Sequence, residues 1–387
     1  MNAAALGARR SLFGVRKEAA PNAERQTPNA KRRLRVLLVH NKLTRFVRID
    51  RDLLWRRYDV DEFVVAGRWT SPWRVWRAVR RCDVLFCWFA SMHSLLPALA
   101  GRVLGRPVMM VVGGYDTANL PQIAYGHQRG GLKKYVARAA MTLATRLIAN
   151  SWYTAVEAVR EAGMPAEKIT VVYHGIALPM NGHRDGRDVA RQTDLVLTVG
   201  NVDRPNLQRK GLEPFVQAAA LLPHLRFVLV GAWLDGAIDD LRTIAPPNVT
   251  FTGRLPDAEL HDLFERAAVY VQASAHEGFG MALAEAMAAG CTPVVTRAGA
   301  LPEVVGDAGV YAASADPAAL ATAIAHALAA GAPLGEAARA RTAQSFTLDR
   351  RARGLAAVVD AAGGRRQATG VSQATGVRRQ RRGERRQ

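Results

Sequence analysis

Twelve short apolar runs, separated by helix-length or polar stretches, set the frame of this chain from Arg35 to Ala313. The first six are RVLLVH, DEFVVAG, DVLFCWF, PVMMVVGG, RLIANS and ITVVYHG; the second six are LVLTVG, RFVLVGA, NVTFTG, VYVQAS, TPVVTR and GVYAA. Runs this apolar suit strands covered by helices on both faces, and strand-helix alternation implies a mostly parallel sheet. The polar, glycine-containing stretch ALPMNGHRDGRDVARQTD divides the two series. The pattern predicts two doubly wound α/β domains, over 34–178 and 194–345, joined by a linker at 179–193 and followed by a C-terminal helix over 346–361. Open sheets of this kind bind ligands beyond the carboxyl ends of their strands, so two side by side place a small-molecule site in the crevice between them.

Composition agrees with two cores: 387 residues with 49% hydrophobic are too many for one. The net charge of +20 resembles a nucleic-acid signature until it is located. Up to Arg33 there are eight Lys/Arg against Glu18 and Glu24, and from Ala361 eight Arg against Glu384, so the two ends hold 13 of the 20 charges. Both ends, the arm 1–33 and the tail 362–387, are poor in large apolar residues and are expected to be disordered and solvated, without a catalytic role. Cys82, Cys87 and Cys291 are too few for a disulfide framework or a zinc site and fit a reducing, cytoplasmic setting. The uncharged span Val84 to Gly101 approaches the length of a membrane helix. It reads better as a strand to Phe89, a turn around His93, and a helix entered near Leu95 to Pro97.

The residues that carry chemistry begin with SAHEGFGMALAEAMAAGCTPVV, from Ser274 to Val295. A helix from Phe279 to Ala289 would be apolar all round and therefore buried, yet it contains Glu285. A buried carboxylate is costly unless something satisfies it. Ahead of it, Glu277, Gly278 and Gly280 follow a strand, so bare amides stand at a positive helix end suited to an anionic or hydroxyl-rich ligand. The glycines put Glu277 in the loop, where both carboxylates can line one ligand. The plainer alternative is a capping Glu277 and a surface Glu285, which the missing polar face around Glu285 opposes. At the corresponding turn of the first strand of the second series, Lys210 and Gly211 open a helix after a loop with Arg204 and Arg209, so positive charge can reach a diphosphate in the crevice. As single residues these would be solvated loop charges. No Asp-x-Asp metal cluster stands at a credible place, and DGAIDD fits a solvated helix face.

These segments resemble the retaining glycosyltransferases of family four. The likeness rests on EGFGMALAEAMAAGCTPVV with its two glutamates, on RKG, FVLVGA, NVTFTGRLPDAELHDLFERAAVYVQAS and GALPEVVGDAGVY, and, more loosely, on VVGGYDTANLP and ITVVYHGIALP. It implies the GT-B fold, two Rossmann-like domains facing a crevice, and sugar transfer from a nucleotide-diphosphate-sugar to a hydroxyl acceptor; with no Asp-x-Asp cluster in place, the transfer is expected to need no metal, and no other cofactor is expected. It further implies that Glu285 holds the ribose hydroxyls and Glu277 the donor sugar. The amides of Gly278, Phe279, Gly280 and Met281 would meet sugar and phosphates, Lys210 the leaving diphosphate, and Arg254 and Leu255 the base. The chain departs from the pattern at Asn201, where an arginine often follows the glycine, so Arg204 or Arg209 would substitute. No first-domain histidine is obvious near the reacting carbon, which makes Asp116 of GGYD a candidate contact to donor or acceptor. On this view Glu285 is met by ligand, or by water when the site is empty.

One more motif suggests a partner. In RWTSPWRVWRAVRRC, Trp73 and Trp76 stand among Arg74, Arg77, Arg80 and Arg81, a mixture suited to an anionic membrane surface and hence to a glycan or lipid-linked acceptor. The alternative is a core-facing helix with a basic edge. Rival functions are a nucleotide-sugar epimerase or phosphorylase on the same architecture and a nucleic-acid-binding protein. The enzymes lack their own carboxylates or cofactor lysine here, and no specific nucleic acid is expected as partner.

Overall fold

The computed structural model of the chain describes residues 32–65, 70–178 and 191–364. The arm up to residue 31, most of the expected linker at 179–190, and the tail from 365 lie outside the described residues. One sheet holds β1 (Arg35–His40), β2 (Asp59–Val64), β3 (Val84–Trp88), β4 (Val108–Val112), β5 (Arg146–Ala149) and β6 (Ile169–Val171), in the order β2-β1-β3-β4-β5-β6. The other holds β7 (Gln192–Val199), β8 (Arg226–Val230), β9 (Val249–Gly253), β10 (Ala267–Gln272), β11 (Thr292–Val295) and β12 (Val310–Tyr311), in the order β12-β11-β10-β7-β8-β9. All neighbours are parallel, with Val36 level with Val60 and Val84, and Val196 level with Phe227 and Val269. Each of the twelve apolar runs contributes a strand, and the α/β two-domain fold is as expected.

Helices α1 (Arg45–Trp55), α2 (Pro72–Arg81), α3 (Met92–Val103), α4 (Gly131–Leu143) and α5 (Trp152–Arg160) cover the first sheet. The second carries α6 (Arg204–Arg209), α7 (Leu212–Ala218), α8 (Ala237–Ile244), α9 (Asp257–Arg266), α10 (Met281–Ala288), α11 (Leu301–Val305), α12 (Pro317–Ala330) and α13 (Ala332–Ser345). A last helix, α14, runs over residues 348–364. Its Leu355, Val358, Val359 and Ala362 join the first domain's core, among Val36, Leu38, Val47, Leu54, Phe86 and Trp88. The chain thus finishes the first domain after completing the second.

Two local expectations change. The uncharged span does divide into strand and helix, but α3 starts at Met92 rather than near Leu95, because Ser91 and Ser94 form a capping box that satisfies its first amides. His93 is therefore helical, and buried; its ring nitrogens face Trp88 O at 2.6 Å and Ser91 Oγ at 2.6 Å, while burial lowers its pKa. The segment holding Arg204 and Arg209 is a short helix, not a loop: Asp203 accepts from Asn206 N at 2.8 Å and Pro205 sits in the first turn. No single helix among the described residues is long and apolar enough to cross a membrane.

Candidate active site

Glu277 stands in the loop between β10 and α10, where the sequence placed it. Its Oε1 accepts from Lys210 Nζ at 2.7 Å, Gln272 Nε2 at 3.1 Å and Ser274 Oγ at 3.2 Å. Burial pushes this carboxyl up, but Lys210 and Arg209 outweigh it, and the net pKa is lowered. The helix begins only at Met281, because Gly280 takes a φ of 93° at its N-cap, and Met281 is half-buried in its first turn.

Lys210 reaches Glu277 because of two glycines. Gly211 turns the chain from α6 into α7 with φ 63°, and a Cβ there would run into Ala273 O, in the Glu277 loop. A Cβ on Gly200, at the end of β7, would lie 2.8 Å from Lys210 Cδ, so the missing side chain makes room for the lysine stem. Arg209 also joins the site: its guanidinium donates to Asn206 Oδ1 at 2.6 Å, stands over the Tyr125 ring at 4.9 Å and comes within 3.9 Å of Glu277. Arg204 does not, pairing with Asp240 on α8 at 2.9 Å. Asn201 is exposed, with its carbonyl accepting from Asn206 Nδ2, while Arg254 is exposed beyond β9 and Leu255 packs on the core.

Glu285 does have a protein partner, which corrects the expectation of ligand or water. Arg45 Nη1, at the start of α1 in the first domain, donates to its Oε2 at 3.0 Å. Burial nevertheless dominates, and the Glu285 pKa is pushed up to about 7. The partner escaped the sequence because it lies 240 positions away.

The first domain meets this loop closely. A Cβ on Gly278 would strike Gly113 O, and one on Gly114 would stand 3.2 Å from Gly278 Cα, so two backbones touch across the crevice. Gly278 O accepts from Ser151 Oγ at 2.6 Å and Thr154 Oγ1 at 3.2 Å. Beside it, Glu303 of α11 accepts from Trp152 N at 2.7 Å and Tyr153 N at 3.1 Å, capping α5 from the other domain. His276 Nε2 lies 2.8 Å from Glu157 Oε1, whose other oxygen accepts from Thr117 Oγ1. Phe279 turns away into an aromatic cluster with His174, Tyr173 and Phe346.

Asp116 is buried and faces its own loop. Its carboxylate accepts from Ala90 N and Gly113 N at 3.0 Å and Gly114 N at 3.2 Å, while burial pushes its pKa up to about 6. It shapes the glycine turn that Gly278 touches. Three buried polar atoms around the crevice, Thr44 Oγ1, Asn150 Oδ1 and His276 Nδ1, have no hydrogen-bond partner among the described residues. Among the described residues no three His, Cys, Asp or Glu side chains gather as a metal site requires.

Sequence reading missed Arg45, Tyr125, Ser151, Thr154, Glu157, His276 and Glu303. Only His276 carried a local signal, as the neighbour of Glu277; the others are joined to the site by tertiary contacts alone.

Comparison with known proteins bears on the family and the fold. The family model described as Glycosyltransferase Family 4 matches residues 23–178, and that described as Glycosyl transferases group 1 matches residues 193–330. O-antigen chain mannosyltransferase B of Escherichia coli is 35% identical over 113 residues, 27% of this chain and 30% of that protein. Alpha-galactosylglucosyldiacylglycerol synthase of Streptococcus pneumoniae is 27% identical over 186 residues, 44% of this chain and 48% of that protein. The chain spans about half or less of the length of the curated relatives it matches. Among solved structures, HepE of Anabaena in complex with UDP and glucose superposes with a TM-score of 0.67 at 18% identity, covering 85% of this chain and 99% of that one. Sucrose-phosphate synthase of Thermosynechococcus elongatus gives 0.65 at 18%, covering 88% and 100%. The two models together match residues 23–178 and 193–330, most of the chain, so the chain belongs to the family four, group 1 glycosyltransferases, and the likeness to the solved structures shows the two-sheet GT-B fold.

Proposed function

We propose that this chain transfers a sugar from a nucleotide-diphosphate-sugar to an acceptor hydroxyl, with retained anomeric configuration and without a metal ion, in the synthesis of a polysaccharide, lipopolysaccharide or glycolipid. The single observation that carries the reading is the Glu277–Lys210 pair at the carboxyl edge of the second sheet, followed by glycine amides and, further along α10, by Glu285.

In this reading the second domain holds the donor and the first the acceptor. Glu285 binds the ribose hydroxyls, taking them in place of Arg45. Glu277 accepts from hydroxyls of the donor sugar, and the amides of Gly278 to Met281 meet the sugar and phosphates. As the glycosidic bond breaks, positive charge grows on the sugar and negative charge on the diphosphate. Lys210 and Arg209 stabilise that leaving group from fixed positions, which is where preorganised charge lowers a barrier most. Two fixed cations supply the positive charge at the diphosphate, in keeping with transfer that needs no metal. Asn201, Arg254 and Leu255 border the nucleotide, and Arg204 stays on the rim with Asp240. Asp116 acts by holding the Gly113–Gly114 turn beside the reacting centre. The acceptor is a glycan or lipid-linked glycan, met in the cytoplasm at an anionic membrane surface.

A thermal-shift panel of nucleotide-diphosphate-sugars tests the reading. The matching donor should raise the unfolding temperature, since a ligand at 100 times its Kd stabilises the folded state by about 2.7 kcal/mol. Failure of every nucleotide-sugar and free nucleotide diphosphate to do so, with the chain folded, would overturn it.

A further inference from the structure

In each strand-helix unit of the first domain the helix starts at the carboxyl end of the preceding strand, so the first turns of α2, α3, α4 and α5 all stand at the crevice end of one layer. These helices share a single apolar cluster beneath them, and α2 packs on α3 and α3 on α4. At that end the layer exposes large apolar side chains: Trp73 at 67%, Met92 at 63%, Leu132 at 73%, Tyr135 at 69% and Trp152 at 63%. Four sit at the first or second position of their helices, and Tyr135 follows in the second turn of α4.

A solvated helix start favours Asp or Glu, which complement its positive dipole end. None of these four helices has an acidic residue of its own in its first turn, and only α5 has a carboxylate supplied to its start, by Glu303 of α11. From Pro72 to Leu143 there are ten Lys/Arg and two acids. Of the two, Asp83 accepts from Arg35 N at the foot of the sheet, and Asp116 is buried in its loop. Helices α2, α3 and α4 therefore present no carboxylate, while Arg74, Arg77, Arg129 and Lys133 stand exposed around the apolar rim.

We infer that this crevice-end rim, on the first turns of α2 to α5, docks onto an anionic lipid bilayer, with Trp73, Met92, Leu132, Tyr135 and Trp152 entering the headgroup boundary and the basic collar meeting the headgroups. Aromatic and aliphatic side chains ringed by basic ones match a membrane interface. A nucleic acid would use the arginines and the aromatic rings for stacking but has no use for exposed Met92 and Leu132. The inference rests on the proposed lipid-linked acceptor and gives it a route: with the rim in the bilayer, the crevice mouth opens at the surface where a lipid-anchored glycan is held.

The test is co-sedimentation of the full chain with phosphatidylcholine vesicles, with and without phosphatidylglycerol. The chain should partition onto the anionic vesicles. A Trp73→Ala, Leu132→Ala, Tyr135→Ala variant should lose about tenfold or more of that partition. An Arg74→Glu, Lys133→Glu variant should lose about fivefold or more for each charge reversed. Both variants should keep the wild-type unfolding temperature and rate of nucleotide-sugar hydrolysis in solution, readouts of the transferase reading that do not involve lipid. Undiminished vesicle binding by the apolar variant would overturn the inference, since the terminal basic segments would then be carrying the chain. So would failure of the wild type to bind, or loss of RNA affinity in the charge variant with vesicle binding intact.

Discussion

Lys210 and Glu277 are 2.7 Å apart and largely shielded from solvent, and the ammonium helps hold the Glu277 carboxyl below its ordinary range. Lys210→Ala removes both the proposed stabiliser of the leaving diphosphate and the partner that lowers the Glu277 pKa. Turnover should fall by about a hundredfold or more, the scale of losing one preorganised charge contact, while circular dichroism shows an unchanged fold; near-normal turnover would remove Lys210 from the chemistry. Glu285 supplies a pH dependence. Its folded-state pKa, raised from 4.5 to about 7, means the folded protein holds an extra proton between those values. Stability from this group is therefore present at low pH and lost as pH rises through 7, by up to about 3 kcal/mol. Glu285→Gln should accordingly unfold at a higher temperature than the wild type at about pH 8 and show no such gain near about pH 4. Nucleotide affinity should run the other way in the wild type, rising through pH 7 as the carboxylate ionises to accept ribose hydroxyls, and be weak throughout in the variant. That Glu285 needed a partner was legible from its apolar surroundings. That the partner is Arg45 was not, because periodicity along one segment holds no information about a residue on another domain. Arg204 and Arg209 looked equivalent for a similar reason: in a loop either could turn inward, but in α6 they occupy opposite ends, and Asp240 draws one away.

At the scale of elements, the crevice is narrowest where two backbones touch, at Gly113–Gly114 and Gly278, with side-chain contacts on either side. The loop Gly113–Asp116, pinned by the Asp116 carboxylate, meets the loop at Gly278, while the start of α5 takes both Gly278 O and the Glu303 carboxylate. Gly278→Ala would put a methyl group against Gly113 O and force the two loops apart. Turnover should drop by about a hundredfold, as a misplacement of about 1 Å can cost that much. The cost to stability should be small, because the strain can be relieved by opening the crevice rather than by unfolding. Small-angle scattering should show a more open molecule; a closed variant with unchanged turnover would deny these loops their role. Strands were read well because each is a continuous apolar run bounded by glycine or polar residues, a pattern that parallel sheets impose. Helix starts were read less well where capping decided them. Ser91 gives α3 its beginning three residues before the apolar stretch that suggested it, and Asp203 with Pro205 turns an apparent loop into α6.

For the molecule as a whole, the decisive element is α14, which returns the chain from the second domain to the core of the first. Its apolar face read as a helix in sequence, but nothing in a 3.6-residue period says which sheet it covers. The structure fixes it through Arg351, which donates to Asp50 at 2.9 and 2.7 Å and to the carbonyls of Val172 and Tyr173. Arg351 and Asp50 are both buried, and Tyr58 and Arg57 hold Asp360 one helix length further on. Removing one member of a buried pair leaves an uncompensated charge and costs about 3–5 kcal/mol, whereas replacing both by apolar residues of similar volume is often neutral or stabilising. Arg351→Ala should therefore lower stability by about 3–5 kcal/mol in urea unfolding, and Arg351→Met with Asp50→Leu should recover most of the loss. The same dependence predicts that residues 34–178 alone expose the face of Leu38, Leu54 and Phe86 that α14 covers and do not fold cooperatively, and that a chain carrying 348–364 through a flexible linker does. Cooperative unfolding of 34–178 by itself, with a midpoint matching the first domain of the intact chain, would show that the returning helix decorates the first core rather than completing it.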